Sequence, residues 1–263
     1  MEATRSPPVI FECRDVAVER RTSKGTRRIC EGVHLDVSAG EFVSVMGRSG
    51  SGKTTLLRVL GGLLPTAPGS IVRYRGKSVS GPPEGVITVF QDYAAALLAW
   101  RTVEKNVALG LEGKVPPEER RERVADALGA VGLSSRARDH PWQLSGGMQQ
   151  RVQLARALAV RPSVLLMAEP FGSLDTMTKT ALQDELLQLY EQSGATVVFV
   201  THDIDEALYL SDRVVVLEGD PSTVGHSVTV DCSRPRDQIE TRQSPEFLAL
   251  RREMFETIVR HGA

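Results

Sequence analysis

Gly47-Arg48-Ser49-Gly50-Ser51-Gly52-Lys53-Thr54-Thr55 sets three glycines, a lysine and two threonines in one run that fits the pattern G-x-x-x-x-G-K-[ST]. Glycines let a backbone curl until successive N–H groups face one point, and the start of a following helix adds positive potential there. A chain of phosphates is the natural guest. In such a cradle Lys53 is expected to meet the β- and γ-phosphates and Thr54 to coordinate magnesium. A second glycine-rich helix start, Leu144-Ser145-Gly146-Gly147-Met148-Gln149-Gln150-Arg151, comes about 95 residues later and leads into the apolar run Val152 to Ala159. The first pattern alone serves kinases, GTPases and transport ATPases alike, so it does not choose a class.

Elements that would position these residues are legible in the hydrophobic spacing. Short strand-like runs at Glu41–Met46, Val86–Phe90, Val164–Met167, Thr196–Thr201 and Arg213–Leu217 alternate with helices, which predicts an α/β protein with a mainly parallel sheet. The cradle follows the first of these strands and precedes the apolar run Leu56 to Leu60, the context such a motif needs. Strand signals stop between Tyr93 and Gly147, where Val124, Leu128 and Val131 share one helical face, so a helical insertion is expected at about 93–150. Leu182, Leu186 and Leu189 mark a further helix. Phe247, Met254, Phe255 and Ile258 mark a last one, at about 245–260, opened by Ser244 and Pro245. Pro221, Gly225 and Pro235 make 219–236 irregular, with a strand expected only at Ser227–Val230.

The chain of 263 residues is 41% hydrophobic and 25% charged, and is read as a loose tail over 1–8 followed by a single domain over 9–263. No apolar run approaches the roughly 20 residues of a membrane span, and Met1 to Pro8 lacks the pattern of a secretory signal. Cys13, Cys30 and Cys232 are odd in number and widely spaced, which favours buried, reduced thiols in a cytosolic compartment. A net charge of -1 gives no global pull toward nucleic acid, so no nucleic-acid partner is expected.

At Leu144 to Arg151 the chain resembles the ABC ATPase family, whose LSGGQ-type segment binds the γ-phosphate of ATP held by a second subunit. Ser145, Gly146 and Gly147 match that segment, while Met148 and Gln149 stand where many members have a single Gln. Further family elements follow in order. Gln91 resembles the glutamine that contacts magnesium and the region of the attacking water, and Glu169 the carboxylate that polarises that water. Asp175, in Ser173-Leu174-Asp175, resembles the loop that crosses the dimer interface, and His202 the histidine that senses the γ-phosphate. The resemblance runs from about Phe11 to Gly219. It implies a RecA-like P-loop NTPase core with an antiparallel β-subdomain and a helical subdomain carrying the signature. ATP with magnesium is the implied ligand, and two copies would close head to tail on ATP, with Lys53 of one and Ser145 of the other on the same nucleotide.

Two departures bear on chemistry. Ala168-Glu169-Pro170 stands where the family has Asp-Glu-Pro, which removes a carboxylate that supports magnesium. Comparable losses around metals cost about 10 to 100-fold in affinity or activity. Val18-Glu19-Arg20-Arg21 offers no aromatic ring for adenine; either Arg20 or Arg21 stacks on the base, or both are solvated charge. Phe90-Gln91-Asp92, Leu97 to Val103 with Asn106-Val107, Glu169 to Asp175 and Thr201 to Ala207 are similar to the branch that imports nitrate, sulfonate, taurine or pyrimidine precursors. That similarity implies an integral membrane permease as partner, a periplasmic or surface solute-binding protein acting indirectly, and a cytoplasmic place on the inner membrane face. The apolar run Ala94 to Trp100 serves either as subdomain core or as the permease groove. Two alternatives stay open: an ATP-binding subunit with little or no hydrolysis, which Ala168 favours, and a soluble ABC protein outside transport.

Overall fold

The computed structural model describes residues 7–22, 25–92, 96–172 and 174–260. Two compact units emerge, Met1–Val86 with Ala195–Ala263, and Ile87–Gly194. The first six residues of the expected tail, residues 93–95 of the expected insertion and Ser173 lie outside the described residues. Strands in chain order are β1 Val9–Thr22, β2 Gly25–Ser38, β3 Phe42–Gly47, β4 Ile71–Tyr74, β5 Lys77–Ser78, β6 Val86–Val89, β7 Val164–Ala168, β8 Thr196–Val200, β9 Arg213–Gly219 and β10 Ser222–Thr229.

In the first unit neighbouring strands run β5-β4-β1-β2-β10-β9-β3-β8. Its heart is parallel, with β3 between β9 and β8: Val45 lies opposite Val200 on one side and Val215 on the other. Phe42 through Met46 are all buried, as a parallel strand covered on both faces requires, and β8 is buried throughout. β10 runs antiparallel to β9 and meets β2 in a single parallel pairing, and beyond β2 the sheet is antiparallel. β1 and β2 pair over nearly their whole length, and β4 pairs β1 from Phe11–Tyr74 to Arg14–Ile71. Phe11 packs its ring 5.0 Å from that of Tyr74.

Several expectations are corrected here. The sequence reading anticipated short strands throughout, but β1 and β2 are each 14 residues long. Their pairing shifts register at Val16, Val18 and Glu19, so bulges break the alternation that would have marked them. Gly225 does not interrupt a strand. β10 starts at Ser222 and absorbs the glycine as a register shift between Val224 and His226. Helix Pro245–Arg260 buries Phe247 and Met254, but Phe255 is 60% exposed and takes no part in the core. It lines a cleft of about 520 Å³ together with His202, Asp205, Leu248 and Arg251.

The second unit holds β6 and β7 as neighbours, with β7 wholly buried. Helices span Val103–Ala108, Pro117–Ala130, Gly146–Ala159 and Thr176–Ser193. Val124, Ala127 and Leu128 are the buried stripe of the second of these, and Leu182, Gln183, Leu186 and Leu187 of the last. The apolar run before Val103 divides, with Leu97 buried and Trp100 75% exposed. Asn106, fully buried, pins this loop by donating to the carbonyls of Leu98, Arg101 and Thr102 at 3.0 to 3.1 Å and accepting from the Leu98 N–H at 2.8 Å.

No helix among the described residues is long and apolar enough to cross a membrane. Cys13 and Cys30 are buried and Cys232 half-buried, all three as free thiols. Burial pushes the Cys13 thiol up to about 12, with Asp36 adding to the effect, which keeps it protonated and inert.

Candidate functional site

The cradle grows from the end of β3. Gly47 has φ 146° and Gly50 and Gly52 have φ 83°, conformations that side chains disfavour, and together they turn the loop back on itself. At Gly47 a methyl group would also meet the Leu217 carbonyl oxygen at 2.6 Å, so only glycine fits between this loop and β9. Inside the curl the Lys53 ammonium donates to the carbonyls of Gly47 and Arg48, each at 2.8 Å, and the lysine is 7% exposed. Arg48, Ser49 and Thr54 are exposed, and Ser51, Gly52 and Thr55 half-buried. Lys53–Leu60 is the helix that follows, anchored by Leu56, Leu57, Val59 and Leu60 in the core.

Two residues that sequence reasoning did not single out hold the cradle in place. Ser222, at the start of β10, donates to the Ser51 carbonyl at 2.6 Å and lies 3.2 Å from the Ile29 carbonyl. Ile29 sits where the β1–β2 register shifts, and its side chain packs against Gly52, where a methyl group would meet it at 2.9 Å. His202 follows β8, the strand beside β3, so the cradle and this imidazole both leave the carboxyl ends of adjacent parallel strands. That edge is where open α/β sheets bind ligands. Asp203 caps the helix Ile204–Leu210 by accepting from the N–H groups of Asp205 at 2.9 Å and Glu206 at 3.2 Å, and His202 itself is exposed. Arg20 and Arg21 are exposed on β1.

Within Ile87–Gly194 the remaining candidates gather at helix starts and strand ends. Ser145 caps helix Gly146–Ala159, its hydroxyl accepting from the Met148 N–H at 3.3 Å, so Gly146 and Gly147 form the first turn of a 14-residue helix. Ser145 is exposed. Glu169 leaves β7 with φ 48°, a conformation that costs a side-chain-bearing residue roughly 1–3 kcal/mol. Gln91 reaches it, with Nε2 3.5 Å from Oε2 of the carboxylate. Gln150, 4% exposed on the signature helix, points its amide at the Glu169 carbonyl, also at 3.5 Å. Ala168, 1% exposed, is the last residue of β7. Asp175 caps Thr176–Ser193, and the backbone N–H of Thr178, 3.0 Å away, holds its carboxyl below the usual range.

A family model described as ABC transporter matches residues 30–172. The chain belongs to the ABC transporter family. It is 47% identical over 226 residues to the uncharacterized ABC transporter ATP-binding protein MJ0412 of Methanocaldococcus jannaschii, covering 86% of this chain and 82% of that protein. To the bicarbonate transport ATP-binding protein CmpD of Synechococcus elongatus it is 44% identical over 234 residues, 88% of this chain and 83% of the other. The nitrate import ATP-binding protein NrtC of the same species is 43% identical over 227 residues, which cover 85% of this chain but only 34% of NrtC. Among solved structures, the dimeric post-hydrolysis state of the ATP-binding cassette MJ0796 bound to ADP and Pi has a TM-score of 0.75 at 31% identity. That match covers 84% of this chain and 99% of the cassette. The fold is thus that of an ABC ATPase, a P-loop NTPase core with an antiparallel β-subdomain and a helical subdomain carrying the signature.

In this ABC chain Gln150 is the site residue that motif reading passed over. Its position inside the signature run hid it, because nothing in a linear pattern says that its side chain turns inward toward Glu169. Ser222 was missed for the same reason: it acts on a backbone carbonyl far along the chain.

Proposed function

We propose that this chain is the ATP-binding and ATP-hydrolysing subunit of an ABC importer, working as two copies that face each other head to tail beneath a membrane permease. The observation that carries this is the presence of two separate glycine-rich helix starts in one chain, each suited to an anion. One is the curled loop around Lys53. The other is the exposed, serine-capped start of helix Gly146–Ala159. A triphosphate seated on the first of one copy offers its γ-phosphate to Ser145, Gly146 and Gly147 of the other. The dimeric cassettes among the structural relatives support such pairing.

On binding, Lys53 exchanges its two carbonyl partners for phosphate oxygens, which the curl already surrounds. Fit to a triphosphate is good: the loop is tight, its lysine is pre-positioned and its glycines leave room for phosphate rather than side chains. Magnesium, when bound, would screen the charge of the β- and γ-phosphates, with Thr54 and Gln91 the residues to hold it. Thr54 suits that role, being exposed beside Lys53. Glu169 orients and polarises the attacking water, and Gln91, now directed at the same carboxylate, hands it over when water arrives. Gln150 steadies the strained Glu169 backbone, and His202 lies in reach of the γ-phosphate once the copies close. Asp175 lies on the facing surfaces. Closure on ATP and release after hydrolysis move the permease between its two access states.

The solute on this reading is small, such as nitrate, sulfonate or taurine; the names of NrtC, a nitrate import protein, and CmpD, a bicarbonate transport protein, support a small inorganic anion. A solute-binding protein outside would deliver it, and this subunit would sit on the inner membrane face through the permease. Co-purification from membranes with its permease, and solute-stimulated ATP hydrolysis in that complex, test the proposal; a soluble chain with no permease partner would contradict it. A second reading has a specific observation behind it. Ala168 puts a buried methyl group where the family carries a magnesium-supporting carboxylate, which favours ATP-driven closure with slow hydrolysis. Steady-state hydrolysis with and without the permease separates the two.

A further inference from the structure

Trp142 is 66% exposed, yet the turn that carries it is closely held. His140 and Gln143 close it reciprocally: the His140 N–H donates to the Gln143 side-chain oxygen at 2.8 Å, and the Gln143 N–H to the His140 carbonyl at 2.9 Å. Gln149, from the signature helix, donates to the carbonyls of Pro141 at 2.9 Å and Leu144 at 3.2 Å. The His140 ring stacks on the indole with centroids 4.3 Å apart and planes 22° from parallel. One face of the indole is thereby covered and set, so the exposure falls on the other. A rigid aromatic plate with an open face has little conformational freedom left to lose when a flat ring lands on it.

The plate stands three residues before Ser145, a stretch that spans at most about 11 Å of chain. If Ser145 meets the γ-phosphate of a nucleotide held by the other copy, the ribose and base of that nucleotide extend to the range that Trp142 can cover. Trp100, Trp142 and Phe255 are the exposed aromatic side chains among the described residues, and neither other one serves this place. Trp100 lies in the Asn106-pinned loop, and Phe255 lines the cleft of the last helix.

We propose that Trp142 stacks on the purine base of the ATP held by the opposite copy, so that base recognition is completed in trans. This rests on the head-to-tail reading above. The selectivity expected is for a purine over a pyrimidine triphosphate, because a larger ring offers more stacking area.

The test measures pairing of copies by light scattering in a Glu169→Gln background, titrating ATP and CTP separately. Trp142→Ala is expected to raise the ATP concentration for half-maximal pairing about tenfold while moving the CTP value little, and Trp142→Phe to keep most of the ATP preference. An equal loss for ATP and CTP would mean that the indole only packs against protein, and no loss would mean that it touches neither; either overturns the inference while leaving the paired motor intact. Failure of the Glu169→Gln parent itself to pair with ATP would overturn both.

Discussion

Around Lys53 the backbone is committed before any ligand arrives: glycine is the only residue that fits at 47, Ser222 and Ile29 brace the loop, and the lysine already lies inside the curl. Around Glu169 the two glutamine contacts are longer, although its carbonyl also accepts the Gly172 N–H at 3.2 Å. Its backbone is strained, and both Gln91 and Gln150 approach it at 3.5 Å, the far limit of a hydrogen bond. The contrast teaches that binding and chemistry are built to different tolerances. On the proposed function, a preformed cradle would capture the triphosphate, whereas the hydrolytic centre would tighten only when a second copy and a water complete it.

Breaking the catalytic side should give the largest effect. Glu169→Gln is expected to lower the hydrolysis rate by about 10² to 10⁴-fold while ATP affinity, read by equilibrium dialysis, stays near the parent value. Breaking the binding side should do the reverse of sparing affinity: Gly47→Ala pushes the loop off the Leu217 carbonyl and should cost about 100-fold in kcat/KM, with affinity lost in parallel.

Ala168→Asp sharpens the comparison in the opposite direction. It should raise hydrolysis at low magnesium by about 10 to 100-fold. Because position 168 is buried, the new carboxylate should also lower Tm without ligand, and magnesium with ATP should restore it. No change in rate at low magnesium would discredit the idea that Ala168 limits turnover.

Gln150→Leu tests whether the strained turn is held from behind. About tenfold slower hydrolysis with unchanged ATP affinity is expected, and loss of both would assign Gln150 to folding instead. The smallest effect concerns Asp175. Its carboxyl is depressed from 3.8 by the Thr178 N–H, so the capping stabilisation is complete above that unfolded value and fades as pH falls through the lower folded one. Asp175→Asn, which caps without titrating, should flatten this acidic limb in thermal melts, whereas Asp175→Ala should lower Tm at neutral pH as well.

Legibility in the sequence followed the same division. The cradle and the signature were readable because glycine conformations and helix capping are local, written within a few neighbouring residues. The buried strands β3, β7, β8 and β9 stood out as short apolar runs for a related reason: parallel strands covered on both faces need no alternation. β1 and β2 were hidden by their bulges and by charged residues such as Arg20, Arg21, Arg27 and Arg28, which keep the outer ends exposed. Phe255 misled because helical spacing says which residues share a face, not whether anything covers it. Gln91 and Glu169 are 78 positions apart, and their approach exists only in three dimensions.

Mixing two inactive chains tests the shared site most directly. A Lys53→Ala copy lacks the cradle's cation, a Ser145→Arg copy blocks the signature turn, and neither alone should pair on ATP. Together they can build one intact site, with the lysine from one copy and the serine from the other, so the mixture should regain ATP-dependent pairing with one nucleotide held per pair. A mixture as inert as its two components would contradict a nucleotide gripped between copies.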